Sequence, residues 1–473
     1  MATVRSGLTQ EGSLYELLAR GNKDAYFFLD DFKAKSPFDN RYLYTPAQVH
    51  ELRRIPPLNA AEFGRISEWE FEVAGDVFVD PTILIQLPTW IPTLYAPFNS
   101  TKRIVDANGV SYGYTNGIAY FLFQNIQIYQ DKVLLQEFSG DALYAATKSR
   151  GSLSSAFLEN AITGVHSDSA LNIGRNATPG YLRLHLPFIG CQGAKDGGFP
   201  SIGVRSQTFK LRVTLRKLED LVQASDARAK PVPWDRDDFR YYTSSTSYTT
   251  FSTLTRTSIG APTLQLETRH IYLDPDTQDR LRKSDLEIPY SRLYENTFTF
   301  GAKDFEPLRR NALAVTARRV DAVHPASRLL FWFQDFNALR ANRYFDYASD
   351  ISGNEYYNNV SLIIAGRDRE SLFPPLIWNK LQSLAKEDRD PGAGLGIMNW
   401  DLGDIRGRQA PYTRQPEGSV NFSTADRPTL YVDLANISND LISGQQQAQM
   451  KAIVDTWGFY EVNKGRGGLR YAN

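Results

Sequence analysis

The residues able to do chemistry are few and scattered. Five histidines, His50, His166, His185, His270 and His324, stand alone. A zinc or metalloprotease site needs pairs two or four apart, so that two imidazoles reach one ion. His185 and His270 fall in alternating patterns and read as ordinary strand residues. The single cysteine, Cys191, excludes an internal disulfide framework and a Cys-cluster zinc site, fits a reducing compartment, and reads as a small buried hydrophobe. There is no Gly-x-Ser-x-Gly elbow, and Gly190-Cys-Gln-Gly-Ala-Lys195 lacks the spacing of a phosphate loop and reads as a turn. Asp30-Asp31, Asp237-Asp238 and Glu387-Asp388 are adjacent acids in loop-like contexts and read as solvated surface. A glycosidase pair is set by distance in space, so sequence spacing does not exclude one. Asn-x-Ser/Thr triplets at Asn99, Asn176, Asn359, Asn421 and Asn436 read as chance, because Met1–Gln10 lacks the apolar core of a secretory signal. The expectation is no catalytic, cofactor-binding or metal-ligating residue.

The chain has 473 residues, and half of that, about 236, is the upper size of one all-β sandwich. At 42% hydrophobic and 22% charged it is globular in composition rather than disordered. Lys+Arg and Asp+Glu are 53 each. Zero net charge removes the long-range attraction of a dedicated nucleic-acid or anionic-membrane binder. No apolar run approaches the ~18–20 residues a membrane helix needs. There are 25 Tyr, 27 Phe and 7 Trp against 3 Met, a bias toward residues that suit pleated, half-buried surfaces.

Period-two alternation is the dominant pattern and predicts strands from end to end. It covers Ile83–Leu87, Ile126–Tyr129, Leu182–Leu186, Thr263–Leu273, Asn296–Phe300, Leu329–Phe333, Val360–Ala365 and Thr429–Leu434. In Phe209–Arg216, Phe209, Leu211, Val213 and Leu215 face inward while Lys210, Arg212, Thr214 and Arg216 face water. Asn108-Gly109, Asn116-Gly117, Asp274-Pro275 and Gly418 read as turns. Helical pattern is short: Ser13–Arg20, Gly140–Ser149 and Ser152–Ala161. Many short strands with long connections predict an all-β sandwich or barrel rather than a βαβ repeat. Between Thr243 and Ser258, twelve of sixteen residues are Ser or Thr, which makes a linker or a long loop ordered by a neighbour. Ala385–Pro416 is a second such stretch. No internal repeat is visible.

Three blocks carry a resemblance. They are Leu14-Tyr-Glu-Leu17-Leu-Ala19-Arg-Gly21-Asn-Lys-Asp24-Ala-Tyr26, then Arg414-Gln415-Pro416-Glu-Gly418-Ser-Val-Asn421-Phe422-Ser423, and the ending Gly467-Gly468-Leu469-Arg-Tyr471-Ala472-Asn473. In this order they resemble the double jelly-roll major capsid proteins of nucleocytoplasmic large DNA viruses. Weaker echoes lie between them: Gly75-Asp76, Ile271-Tyr-Leu-Asp274 with Gln278-Asp279-Arg280, and Ile363-Ile-Ala-Gly366-Arg-Asp368-Arg369. The segment after Tyr26 departs from that family: Phe38-Asp-Asn-Arg41-Tyr42 and a Pro-rich stretch replace its Tyr-Arg-Arg segment.

The resemblance implies an all-β chain of two tandem eight-stranded antiparallel jelly-roll sandwiches. It divides into an N-terminal arm over 1–25, a first jelly roll over 26–283 with a long Ser/Thr-rich loop over 222–262, and a second over 284–473. It implies no enzyme activity and no cofactor. The implied function is that of a structural capsid protein, forming homotrimeric pseudo-hexameric capsomers that tile a shell. Its implied partners are copies of itself, minor and penton capsid proteins, and an internal membrane reached through other proteins, with no direct nucleic-acid binding. It would reside in the virion and assemble in the host cytoplasm. The alternatives are a minor capsid component of the same fold and a carbohydrate-binding or carbohydrate-active β-sandwich. Lys and Arg along Phe209–Arg216 fit the charging of an exposed sheet edge.

Overall fold

The computed structural model describes residues 48–71, 75–88, 104–105, 111–149, 164, 180–191, 198–204, 207–225, 240–242, 248–250, 260–310, 312–347, 355–382, 394–400, 418–424, 427–435, 447–463 and 465–470. All lie in one compact unit, Gln48–Asn473, and are mostly strand. The Leu14–Tyr26 block, the helices expected at Ser13–Arg20 and Ser152–Ala161, and most of 243–258 and 385–416 lie outside the described residues.

Sheet one pairs β1 (Gln48–Ile55), β13 (Thr263–Leu273), β3 (Val77–Gln86) and β8 (Tyr181–His185) in that lateral order. Sheet two pairs β2 (Ile66–Phe71), β9 (Phe209–Leu215), β6 (Phe123–Gln130) and β7 (Val133–Phe138). Counting these eight along the chain, the orders are 1-8-3-6 and 2-7-4-5. In the second half, sheet three pairs β14 (Leu286–Phe300), β22 (Ala448–Asn463), β16 (Pro325–Asp335) and β19 (Leu395–Asn399). Sheet four pairs β15 (Val315–Arg319), β21 (Thr429–Leu434), β17 (Tyr357–Ile364) and β18 (Arg367–Phe373). Counted the same way, the orders are again 1-8-3-6 and 2-7-4-5. This interleaving is the jelly roll, and the chain makes it twice although no repeat is visible in its residues.

A fifth sheet decorates the first sandwich: β10 (Val222–Ala224), β5 (Ser111–Tyr114), β4 (Ile104–Val105), β11 (Arg240–Tyr242) and β12 (Tyr248–Thr250). β20 (Val420–Asn421) and β23 (Arg466–Leu469) extend sheet three.

The expected inward set of β9, Phe209, Leu211, Val213 and Leu215, is buried, as alternation requires when one sheet face meets a core. Two readings need correction. β9 lies between β2 and β6, so its Lys and Arg charge no edge; Lys210 instead pairs with Glu68 across the sheet at 2.8 Å. Asp274-Pro275 is no simple turn but the start of α2 (Pro275–Lys283), which follows α1 (Gly140–Ser149) in the chain. Asp274 caps α2 by accepting from the Thr277 N–H at 3.3 Å, and Pro275 takes the first-turn place where its missing donor costs nothing.

Each sandwich buries its own core, and one strand pair runs through both. β14 and β22 stay in register from Leu286↔Val462 to Phe300↔Ala448, roughly 50 Å at the usual rise per residue. At one end Ile288, Tyr290, Tyr460 and Val462 join the core of the first sandwich. At the other, Phe300, Ala448 and Met450 join the core of the second. The pair acts as a spine shared by the two sandwiches.

Candidate functional site

The seam between the sandwiches is where the polar chemistry concentrates. α1 lies there because Gly140 lets it approach its own sandwich: a Cβ would stand 2.1 Å from the Tyr120 carbonyl oxygen. Ser139 caps the helix by accepting from the Ala142 N–H at 2.9 Å. Ala142 and Ala145 then pack against Leu330, Trp332, Tyr347, Leu395, Ile397 and Ile453 of the second sandwich. At the first turn, buried Asp141 meets Arg216 at 2.9 Å and Lys451, which also reaches Glu295 at 2.8 Å. At the far end, Ser149 Oγ accepts from Arg328, whose Nε binds Asp455 at 2.9 Å, both side chains only 2% exposed. Asn342 adds a third tie: its amide donates to the carbonyls of Glu219 and Val222 at 2.7 and 2.8 Å, and its own carbonyl accepts from Thr115. Arg216, read from the sequence as facing water, is a seam residue whose guanidinium also covers the Tyr344 ring at 4.4 Å.

The blocks that carry the resemblance are fastenings wherever they are described. Gly467 lies in β23, and its N–H donates to Gln207 Oε1 at 2.7 Å while its carbonyl accepts from Gln130 and Gln207 at 3.2 Å. The C-terminal strand thereby clasps the first sandwich. Phe422 donates its N–H to the His324 carbonyl, and Ser423 Oγ accepts from the His324 N–H at 2.7 Å, so Asn421-Phe-Ser ties the turn before β16. Two echoes distant in sequence meet: Asp76 Oδ2 accepts from Gln278 Nε2 and from the Leu273 N–H, each at 2.8 Å. Ala365 and Gly366, both at positive φ, make the turn between β17 and β18.

A cleft of about 640 Å³ opens at the seam, lined by Glu137, Asp141, Arg216, Arg292, Tyr344 and Lys451 among others. Its ionisable groups converge on one another. Burial pushes the Asp141 carboxyl up, but Lys451 and Arg216 outweigh it and hold it below the usual range. Burial pulls the Lys451 amine down, and Asp141 and Glu295 outweigh that and raise it. Glu137 accepts from Asn125 and Gln127 at 2.6 and 2.9 Å. Asp141 and Lys451, shifted away from neutrality in opposite directions, are far from the near-neutral acid or base that proton transfer needs.

The histidines are dispersed. His50 is exposed on β1; His185 on β8 contacts the Cys191 carbonyl oxygen at 3.1 Å; His270 is buried on β13 beside Thr268 Oγ1 at 3.0 Å; His324 is buried in its turn. Cys191 is buried. His166 and the three acidic pairs lie outside the described residues. Among the described residues no group of three His, Cys, Asp or Glu side chains is placed to hold a metal, and no helix is long and apolar enough to cross a membrane. Sequence reasoning missed Asp141, Lys451, Arg328 and Asp455, because partners from 75 to 310 residues apart leave no spacing to read.

The exposed apolar side chains mark the outer surface. Among the described residues sheet four ends laterally in β15 and β18. Near β15 stand Leu313 and Val315, 76% and 54% exposed; near β18 stand Leu372, Phe373, Leu376 and Leu381. Open edges flanked by apolar residues are sites where another chain can add.

No family model matches the chain. Among curated proteins, a protein named major capsid protein from Chrysochromulina ericina virus is 27% identical over 114 residues, 24% of this chain and 18% of that protein. A second of the same name from Phaeocystis pouchetii virus is 26% identical over 114 residues, 24% of this chain and 20% of that protein. The match thus spans a fifth or less of the curated relatives' length. Among solved structures, PBCV-1 VP54, fitted into a cryo-EM reconstruction of the virophage Sputnik, superposes with a TM-score of 0.66 at 15% identity, over 92% of this chain and 100% of that one. The Faustovirus major capsid protein gives 0.60 at 12% identity, over 90% and 92%. The chain has the double jelly-roll fold of these capsid proteins.

Proposed function

We propose that the protein is a major capsid protein of a large icosahedral DNA virus, a brick whose work is mechanical and whose place is the virion. The observation that carries the reading is the repeated 1-8-3-6 and 2-7-4-5 strand order, with the two sandwiches joined by one spine. The short sequence match to two proteins of that name supports it. On this reading the halves meet at α2, near residues 282–285, and three chains, each with two similar sandwiches, form a pseudo-hexagonal block. The apolar edges at β15 and β18 suit contacts between copies, and obligate contacts of this kind bury on the order of 2,000–5,000 Å². Other partners would be minor and penton capsid proteins, with assembly in the host cytoplasm. Neither a catalytic step nor nucleic-acid binding is required.

Light scattering on purified protein tests it: a mass of three chains, with a three-fold, hexagon-outlined particle in electron micrographs, is expected. A strict monomer at high concentration, with or without a co-expressed viral chaperone, overturns it. Copy number per particle separates the principal capsomer from a minor component of the same fold. A carbohydrate-binding reading has one observation in its favour, a groove of about 470 Å³ on sheet one lined by exposed Tyr181 with Arg54, Arg183, Gln86, Gln265 and Glu267. Binding on a glycan array that is lost in Tyr181→Ala would favour it.

A further inference from the structure

Glu355 stands just before β17, away from the seam cleft. Its Oε1 accepts from Asn379 Nδ2 at 2.7 Å and from the Gly394 N–H at 3.1 Å. Its Oε2 is buried and has no hydrogen-bond partner among the described residues. Asn379 belongs to a single π-turn, Ile377–Leu381, and its amide oxygen accepts from Tyr357 Oη at 3.0 Å. Gly394 immediately precedes β19. One carboxyl group therefore ties three segments of the second sandwich. Buried Trp378 in the same turn donates to the Val360 carbonyl at 3.1 Å and meets the Phe373 ring edge-on at 5.5 Å. Around it lie the exposed Leu372, Leu376 and Leu381. π-Turns are rare and often sit at functional places.

The balance of forces on this carboxyl is unusual. A buried carboxylate with one oxygen unpartnered is costly when charged and tolerable when protonated. The two bonds to Oε1 favour the charged form, as do Lys148 of α1 and Lys380 of the π-turn. Lys148 is itself held over the Tyr347 ring at 4.6 Å. Tyr357 of β17 faces the carboxyl as a neutral phenol, held so by burial. Burial is the largest of these influences and pushes Glu355 up to about 7.

We propose that Glu355 is a proton-operated latch on the π-turn and on the apolar edge the turn carries. With its proton, the carboxyl holds Asn379 and Gly394 and keeps the turn packed against β17 and β19. Without it, the unpartnered charge seeks water and the turn loosens. Because the acid is weakened in the closed state, closure is strongest below about pH 4.5. It weakens as pH rises toward 7 and changes little above that.

Hydrogen exchange at residues 377–381, corrected for the intrinsic rate, tests the latch on the full chain. Protection is expected to fall on the order of tenfold between pH 6 and pH 8 in the wild type, and to stay nearly constant in Glu355→Gln, which mimics the protonated acid. A change driven by histidine would survive that substitution. A flat wild-type profile, or an equal fall in Glu355→Gln, overturns the proposal. The carboxyl carbon shift of Glu355, followed by NMR in the wild type alone, gives an independent readout. A midpoint near 7 supports the latch, and one below about 5 overturns it whether or not the variant folds.

Discussion

Gly467 and Gly468 are neighbours in one strand, yet a methyl group would meet different things at each. At Gly467 a Cβ would stand 2.0 Å from Tyr460 Oη and 2.7 Å from Val204 Cγ1, whereas at Gly468 nothing lies within 4 Å. Gly467→Ala is expected to cost about 1–3 kcal/mol through forced displacement of Tyr460, with Gly468→Ala close to neutral. Denaturant midpoints of the two variants check the contrast. Asp141 makes a prediction in pH. Its acid is strengthened in the fold by Lys451 and Arg216, which outweigh burial, so its contribution is present above the unfolded value near 3.8 and is lost as pH falls through the lower folded value. Asp141→Asn, which breaks a buried network, should cost about 3–5 kcal/mol at neutral pH. The gap to the wild type should narrow as pH is taken from 4 toward 2, which urea titrations at each pH would show. The sequence carried no hint of this network, since Asp141 and Lys451 are 310 residues apart.

At the scale of elements, alternation located strands better than it bounded them. β13 and β21 run over the residues where the pattern lies, Thr263–Leu273 and Thr429–Leu434, because one of their faces stays buried over most or all of its length. β14 extends ten residues before Asn296, the start of its expected strand. There Leu286, Ile288 and Tyr290 alternate with Glu287, Pro289 and Ser291, but a proline argues against a paired strand and Arg292-Leu293-Tyr294 breaks the period, so pairing with β22 makes the whole run one strand. α1 spans the expected Gly140–Ser149. α2 has no buried residue, so it has no apolar stripe to detect; only its Asp-Pro cap marks it. The exposed edge near β18 yields a prediction at this scale. Leu376→Glu with Leu381→Glu should leave the stability of the single chain within about 0.5 kcal/mol, as exposed substitutions do. The same pair should shift the protein toward monomer. Sedimentation velocity and thermal melts on the same sample would separate the two effects, and an unchanged association state would exclude this edge from the contact.

At the scale of the whole molecule, the spine makes the two sandwiches depend on each other. The first core is completed by Ile288, Tyr290, Tyr460 and Val462, all contributed from beyond residue 283. Unfolding by heat should therefore give one calorimetric transition. A fragment ending at residue 283 should lose near-ultraviolet dichroism and bind hydrophobic dye. Two resolved transitions, or a native-like fragment, would show that the spine is dispensable. Residue order alone determined that the chain is rich in strands, that its histidines and cysteine form no local catalytic or metal-binding pattern, and that three of its blocks resemble, in order, those of double jelly-roll capsid proteins. Those properties are local: side-chain period and short motifs are written in neighbouring residues. The resemblance implied the two jelly rolls, but tertiary structure alone decided that β14 and β22 traverse both cores and that Asp141, Arg216 and Lys451 meet at the seam. Each depends on which distant segments pair and in what register. Closing a longer loop adds little to the cost of such pairing, so sequence separation sets no limit a reader could use, and packing makes the choice.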